Sequence, residues 1–149
     1  MADVNKTRDI LQNLIETCRD GQNGYRESAE NLKNPEIREF FNQQSLLRAQ
    51  FASELEAEAR RLGDRDVDTS GSAAAAMHRA WIDLKASLGG GDDAIVAAAE
   101  TGEDAAKKAY EEALKEPLPG DIMSIVKRQA ESVFQAHNRV REYRDRKAA

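Results

Sequence analysis

Cysteine, proline and aromatic side chains are all scarce in this chain, and each shortage removes a class of protein. Cys18 is the only cysteine among 149 residues. An internal disulfide is therefore impossible, no Cys-x-x-Cys pair exists, and a reducing compartment is the simple setting. Long apolar runs are missing, and Met1 to Lys6 lacks the apolar stretch of a secretory signal. The expectation is a cytoplasmic protein with no membrane partner. Positive charge is not in surplus either: a net charge of −5 argues against nucleic acid as a partner. There is no Gly-rich phosphate loop, no Ser nucleophile elbow and no His-Glu-x-x-His. These absences weigh against an enzyme.

What remains is rich in helix formers. Ala, Glu, Lys, Arg, Leu and Gln dominate, one third of the residues are charged, and only three are proline. The length suits one domain, residues 1–149, with a core that needs no staples. Apolar residues at helical spacing predict long helices over about 4–33, 35–62, 92–116 and 119–146, with a shorter one over 73–88. In the first, the stripe runs Leu11, Leu14, Cys18, Gly21, Tyr25, Ala29 and Leu32. Gly21 costs helix stability, by roughly 1 kcal/mol relative to Ala, and close approach of a neighbouring helix would account for it. Asn34-Pro35-Glu36 reads as a helix start, with Asn34 as N-cap and Pro35 at the first helical position. So short a turn makes the first two helices antiparallel neighbours. Gly63 ends the second, and Asp92 reads as the cap of the next.

The connection from Gly63 to Gly91 is far longer than an up-down-up-down bundle needs. Its helix, with Met77, Trp81, Leu84 and Leu88 on one face and His78 flanking Trp81, can carry the chain back along the bundle, so that the second and third long helices run parallel. One kinked helix from Ala73 to Glu116, bent at Gly89-Gly90-Gly91, is the alternative. A pseudo-repeat favours the first wiring. Tyr25-Arg26-Glu27-Ser28-Ala29 and Tyr110-Glu111-Glu112-Ala113-Leu114 each precede a Pro turn, and Cys18 and Glu103 stand seven residues before the two tyrosines.

The second helix breaks its own pattern. Ile37, Phe41, Phe51, Leu55 and Leu62 trace a core stripe, yet Gln44 and Arg48 fall inside it. A guanidinium stripped of water without a partner costs several kcal/mol. Counting outward from the hairpin turns places Cys18, Arg48, Glu103 and His137 near one level, with Gln44 and Gln129 a turn away and the hydroxyls of Tyr25 and Tyr110 close by. This core polar layer is the candidate site. Either Arg48 turns inward and pairs with Glu103, or it snorkels to a surface Glu. Cys18 reads as a small hydrophobe, and His137 as a packed, hydrogen-bonded histidine. The acidic runs Glu54 to Glu58 and Glu111 to Glu112 read as solvated faces.

Two antiparallel hairpins, a long crossover and a polar mid-bundle layer resemble the ferritin and rubrerythrin superfamily, over nearly the whole chain. The runs Met77-His78-Arg79-Ala80-Trp81 and Gly102-Glu103-Asp104-Ala105-Ala106 look like a small uncharacterised bacterial family of such proteins, a domain of unknown function. The resemblance implies an all-α, ferritin-like four-helix bundle with a short extra helix in the crossover. It also implies a di-metal site: a Glu seven residues before a Tyr on helices one and three, and Glu-x-x-His pairs on helices two and four. Carried across, the first Glu position holds Cys18, the helix-two pair holds Arg48 and Phe51, Glu103 keeps its carboxylate, and the helix-four pair holds Phe134 and His137.

Most di-metal ligands are thus replaced, and no cofactor is expected. The leading expectation is a non-catalytic interaction or stress-associated protein with a degenerate di-iron site, which could pair through helix faces as a homodimer. The alternatives are a metal-binding or oxidoreductase-type protein holding iron or manganese at a reduced site of Glu103 and His137, joined by Glu16 or Glu100, and a small-molecule binder at the bundle core.

Overall fold

A computed structural model describes residues 3–63 and 89–148. The expected helix over 73–88, with Met77, His78 and Trp81, lies outside the described residues. Four helices are present and no strand is seen among those residues: α1 Val4–Asn31, α2 Pro35–Arg61, α3 Asp92–Leu114 and α4 Gly120–Ala148. Local chemistry sets their ends. The Asp3 carboxylate accepts the Asn5 and Lys6 amides at the start of α1. Asn34 does the same for Glu36 and Ile37, with Pro35 following it. Gly63 (φ 89°) and Gly91 (φ 90°) take left-handed backbone that other residues resist, one after α2 and the other before α3.

Asp92 is not the cap of α3; Gly91 holds that position. The Asp92 carboxylate instead accepts the backbone amides of Lys33 and Asn34, each at 2.9 Å, and so pins the start of α3 to the α1–α2 turn. At the opposite end Lys6 meets Glu116 at 2.9 Å, and Arg61 lies 3.8 Å from Asp121. Arg146 returns to Glu36 at 2.8 Å. These ties fix the directions: α1 and α4 run one way, α2 and α3 the other. The parallel pair α2 and α3 is therefore observed, and α3 opens afresh after Gly91. Around the bundle the order is α1, α2, α4, α3, with every neighbour antiparallel.

The expected stripes are the core. Leu11, Leu14, Cys18, Tyr25, Phe41, Leu55, Val126, Val133 and Val140 are fully buried. Ordering by the period of the helix explains this, since residues three and four apart share a face. The two hairpins are related by a constant offset of 85 residues. It pairs Cys18 with Glu103, Tyr25 with Tyr110, Ile37 with Ile122, Phe41 with Val126, Gln44 with Gln129 and Leu55 with Val140, all buried.

Candidate functional site

Arg48 is 1% exposed and is the largest fully buried side chain among the described residues. Helix α2 gives it no choice of direction, because Gln44, Phe51 and Leu55 on either side of it along the stripe also face the core. Its Nη2 donates to Glu103 Oε1 at 2.7 Å, and Glu103 is 0% exposed. The same carboxylate oxygen accepts the Tyr25 hydroxyl at 2.6 Å. The guanidinium carbon stands 5.4 Å from the centre of the Tyr25 ring, a cation–π contact. Of the two readings open in the sequence, the inward pair is the one the structure contains.

Gly21 makes room for this side chain. A Cβ added there would sit 3.1 Å from Arg48 Nη1 and 3.6 Å from its Cγ. The close approach of a neighbouring helix expected at this glycine is thus made by α2, through the Arg48 side chain, and the position is buried.

A second chain of hydrogen bonds crosses the same layer. Cys18 Sγ and the Tyr110 hydroxyl are 3.1 Å apart, and Tyr110 donates to Gln129 Oε1 at 2.8 Å. Gln129 Nε2 donates in turn to the Phe51 carbonyl at 3.3 Å and to Glu54 Oε1 at 3.1 Å. Each tyrosine reaches across to the other hairpin: Tyr25 to Glu103, Tyr110 to Cys18. The pseudo-repeat read from the sequence is thus realised as a reciprocal pair of contacts.

Burial governs the electrostatics. It pushes the Cys18 thiol up to about 11, against the lesser pull of Tyr110 and Arg48. Burial likewise holds the Tyr25 and Tyr110 hydroxyls well above their ordinary values, helped by Glu103 in one case and by Cys18 in the other. Burial opposes the Arg48 charge, but Glu103, Tyr25, Cys18 and Tyr110 more than offset it, so the guanidinium is held above its usual value. These groups form a buried, charge-balanced layer. None of the shifts brings a thiol or hydroxyl towards the pH at which it would act as a base or nucleophile.

His137 is buried and hydrogen-bonded, as expected, but among the described residues it bonds to no other member of the layer. Its Nε2 lies 2.6 Å from Asp104 Oδ1, on a side chain that is 64% exposed. The 85-residue offset explains the misplacement. Counting from Leu118 puts Phe134 and His137 opposite Arg48 and Phe51, whereas the structurally related positions are Val133 and Ala136. Gln44 is 7% exposed, and its Oε1 has no partner among the described residues, so it does not satisfy Arg48. Glu103 Oε2 and Arg48 Nε are likewise without partners among those residues.

Three acidic residues read as solvated are in fact engaged. Glu56 and Glu58 are each 6% exposed and pair with Arg19 and Arg61, while Glu54 meets both Gln129 and Arg128. The alternative ligands Glu16 and Glu100 do not join Glu103. Glu16 accepts from Gln12 at 3.4 Å, and Glu100 meets Arg144 at 2.5 Å.

The donor set does not fit a di-metal centre. Among the described residues no three His, Cys, Asp or Glu side chains converge to hold a metal ion. A guanidinium occupies the middle of the layer, bonded to its one carboxylate, and it would repel a divalent cation.

A model of the family described as Domain of unknown function (DUF2383) matches residues 6–116. The chain belongs to this family. The match takes in α1, α2 and α3, and with them Cys18, Tyr25, Gln44, Arg48, Glu103 and Tyr110. Gln129 and His137, on α4, lie beyond it. A search of curated proteins finds no match. No helix among the described residues is long and apolar enough to cross a membrane.

Proposed function

We propose that this chain is a ferritin-like bundle in which a buried arginine stands where related scaffolds carry metal charge, and that it serves as a non-catalytic interaction protein, associated with stress, in the cytoplasm. One observation carries the reading: the Arg48–Glu103 pair, 2.7 Å long and closed to solvent at the centre of the bundle. A protein retaining iron or manganese chemistry needs several anionic or imidazole ligands around an open position. This layer offers Glu103 with its charge already countered, a thiol that burial keeps protonated, and two tyrosines committed to hydrogen bonds. With the polar groups of the described core committed to one another, the reading turns to the surface.

Metal analysis of the purified chain, followed by titration with ferrous and manganous ions, tests the reading. The expected result is no stoichiometric metal and no change in the thermal midpoint on titration. Two tightly held ions per chain would overturn it.

A second reading, a binder of small molecules, is favoured by a groove of about 420 Å³ between α2 and α4, lined by Phe40, Gln44, Leu47, Gln135 and Asn138. The unpartnered Gln44 Oε1 sits on its wall. A shift of the thermal midpoint across a fragment library, lost in Gln44→Leu, would move the assignment there.

A further inference from the structure

In a chain that is one third charged, a surface helix is expected to turn its charges to water. The middle of helix α2, from residue 40 to residue 59, does the reverse. Its Arg48, Glu54, Glu56 and Glu58 turn inward or sideways onto Glu103, Arg128, Arg19 and Arg61. Between Glu39 and Arg60 its exposed residues are Asn42, Gln43, Leu46, Gln50, Ser53 and Ala57, and none is charged. Leu46 is 67% exposed, one of two large apolar side chains left in water among the described residues.

Glu39, Leu46, Ser53 and Arg60 recur at every seventh position. That spacing sets them on a slowly turning line along the helix, drifting by about 20° per repeat, that a left-handed crossing of two helices can follow. Opposite charges close the two ends of that line. Among the described residues neither Glu39 nor Arg60 makes an ion pair within the chain.

This line is its own complement. Set antiparallel against a second copy, about a twofold axis between Ala49 and Gln50, Glu39 faces the partner's Arg60 at both ends. Leu46 meets the partner's Ser53, whose short side chain leaves space for it. A serine hydroxyl in a helix can turn back to the carbonyl four residues earlier, so Ser53 need not be stranded beneath an apolar neighbour. The middle of the line carries no charge to strip of water. We infer that the outward face of α2 is the surface through which this chain pairs with a second copy of itself, two α2 helices lying antiparallel. The inference rests on the reading that the protein acts through its surface. The line from Glu39 to Arg60 is about 31 Å long, and with Leu46 as its large apolar side chain it suits a reversible dimer rather than an obligate one, whose interfaces are more hydrophobic.

Sedimentation velocity of the full chain over a concentration series tests it. The wild type is expected to show a monomer–dimer equilibrium. By symmetry, E39K and R60E each place two like-charge pairs in the interface, and each weakens the dimer by about tenfold or more. Mixing the two variants in equal amounts restores association, because in the mixed dimer every interface charge meets its opposite. The double variant E39K/R60E restores it for the same reason. Both sites are exposed, so unchanged circular dichroism and thermal midpoints separate lost pairing from lost folding. A wild type monomeric up to millimolar concentration, single variants that pair as tightly as the wild type, or mixing without recovery would each overturn the proposal. Those failures leave the metal-replacement reading standing, whereas stoichiometric metal would overturn that reading and leave the dimer intact.

Discussion

At the scale of single residues, Arg48 and Glu103 are worth more as a pair than as individuals. Both are fully buried and only 2.7 Å apart, so deleting one leaves the other's charge without water or counter-charge. Arg48→Leu is expected to cost about 3–5 kcal/mol in urea unfolding. Arg48→Leu with Glu103→Leu together should recover most of that loss, because two apolar groups of similar bulk leave no charge stranded. A loss in the double variant equal to the sum of the two single losses would show that the pair is not coupled. Cys18 gives a prediction in pH. Burial raises its thiol from an ordinary value of 9.0 to about 11, so the folded state holds a proton that the unfolded chain releases first. Stability should therefore be flat below about pH 9 and fall by roughly 3 kcal/mol as the pH rises to about 11. Tyr25 and Tyr110, also raised, steepen the fall from about pH 10, where the unfolded chain begins to release their protons, and carry it to higher pH. Cys18→Ala should flatten the fall between about pH 9 and 10, before unfolded tyrosine ionises, in pH-dependent chemical denaturation.

At the scale of the helix, whatever repeats locally is legible in the sequence. The stripes on all four helices follow from a period near 3.6, and the Asn34-Pro35 start carries its own chemistry, so both can be read without neighbours. Arg48 is legible as an anomaly, since a cation on a core line demands a partner, and few anions lie at its level. Contacts set by distant residues are not legible. Glu56 looks solvated because its partner Arg19 is 37 positions away. The level expected on α4 shifts by one residue, because the 85-residue offset matches Asn34 to Pro119 and not to Leu118, from which the count runs. Asp92 is the clearest case: an acidic residue at a helix start suggests a local cap, yet it serves another helix pair. That misreading supplies a test. Asp92→Ala removes the acceptor of two backbone amides, at Lys33 and Asn34, and should lower stability by about 1–2 kcal/mol. Asn34→Ala, which removes the local cap of α2, should cost about 1 kcal/mol. The two losses should not add, since both act on the same turn. Strict additivity in thermal unfolding would mean that Asp92 does not hold that turn.

At the scale of the molecule, the family match ends at Glu116, while a quarter of the bundle follows it. Helix α4 is not an appendage. Val126, Val133 and Val140 are fully buried against the other helices, and Gln129 completes the hydrogen-bond chain that begins at Cys18. Without α4 the flanks of α2 and α3 lose their cover, Tyr110 loses its acceptor, and Glu54 loses both Gln129 and Arg128. The hairpin α1–α2 would keep its own contacts and the Asp92 clamp, but α3 would pack on α1 alone. Three helices around half a core bury too little apolar surface to offset the entropy of ordering them. A chain ending at Leu118 is therefore expected to keep part of its helical circular dichroism while losing the cooperative thermal transition, and to bind a hydrophobic dye. If that shortened chain instead melted cooperatively as a monomer, α1 to α3 would form a self-sufficient core. The polar layer would then be organised by Arg48, Glu103 and Tyr25 alone, with α4 a cover laid over a site already built.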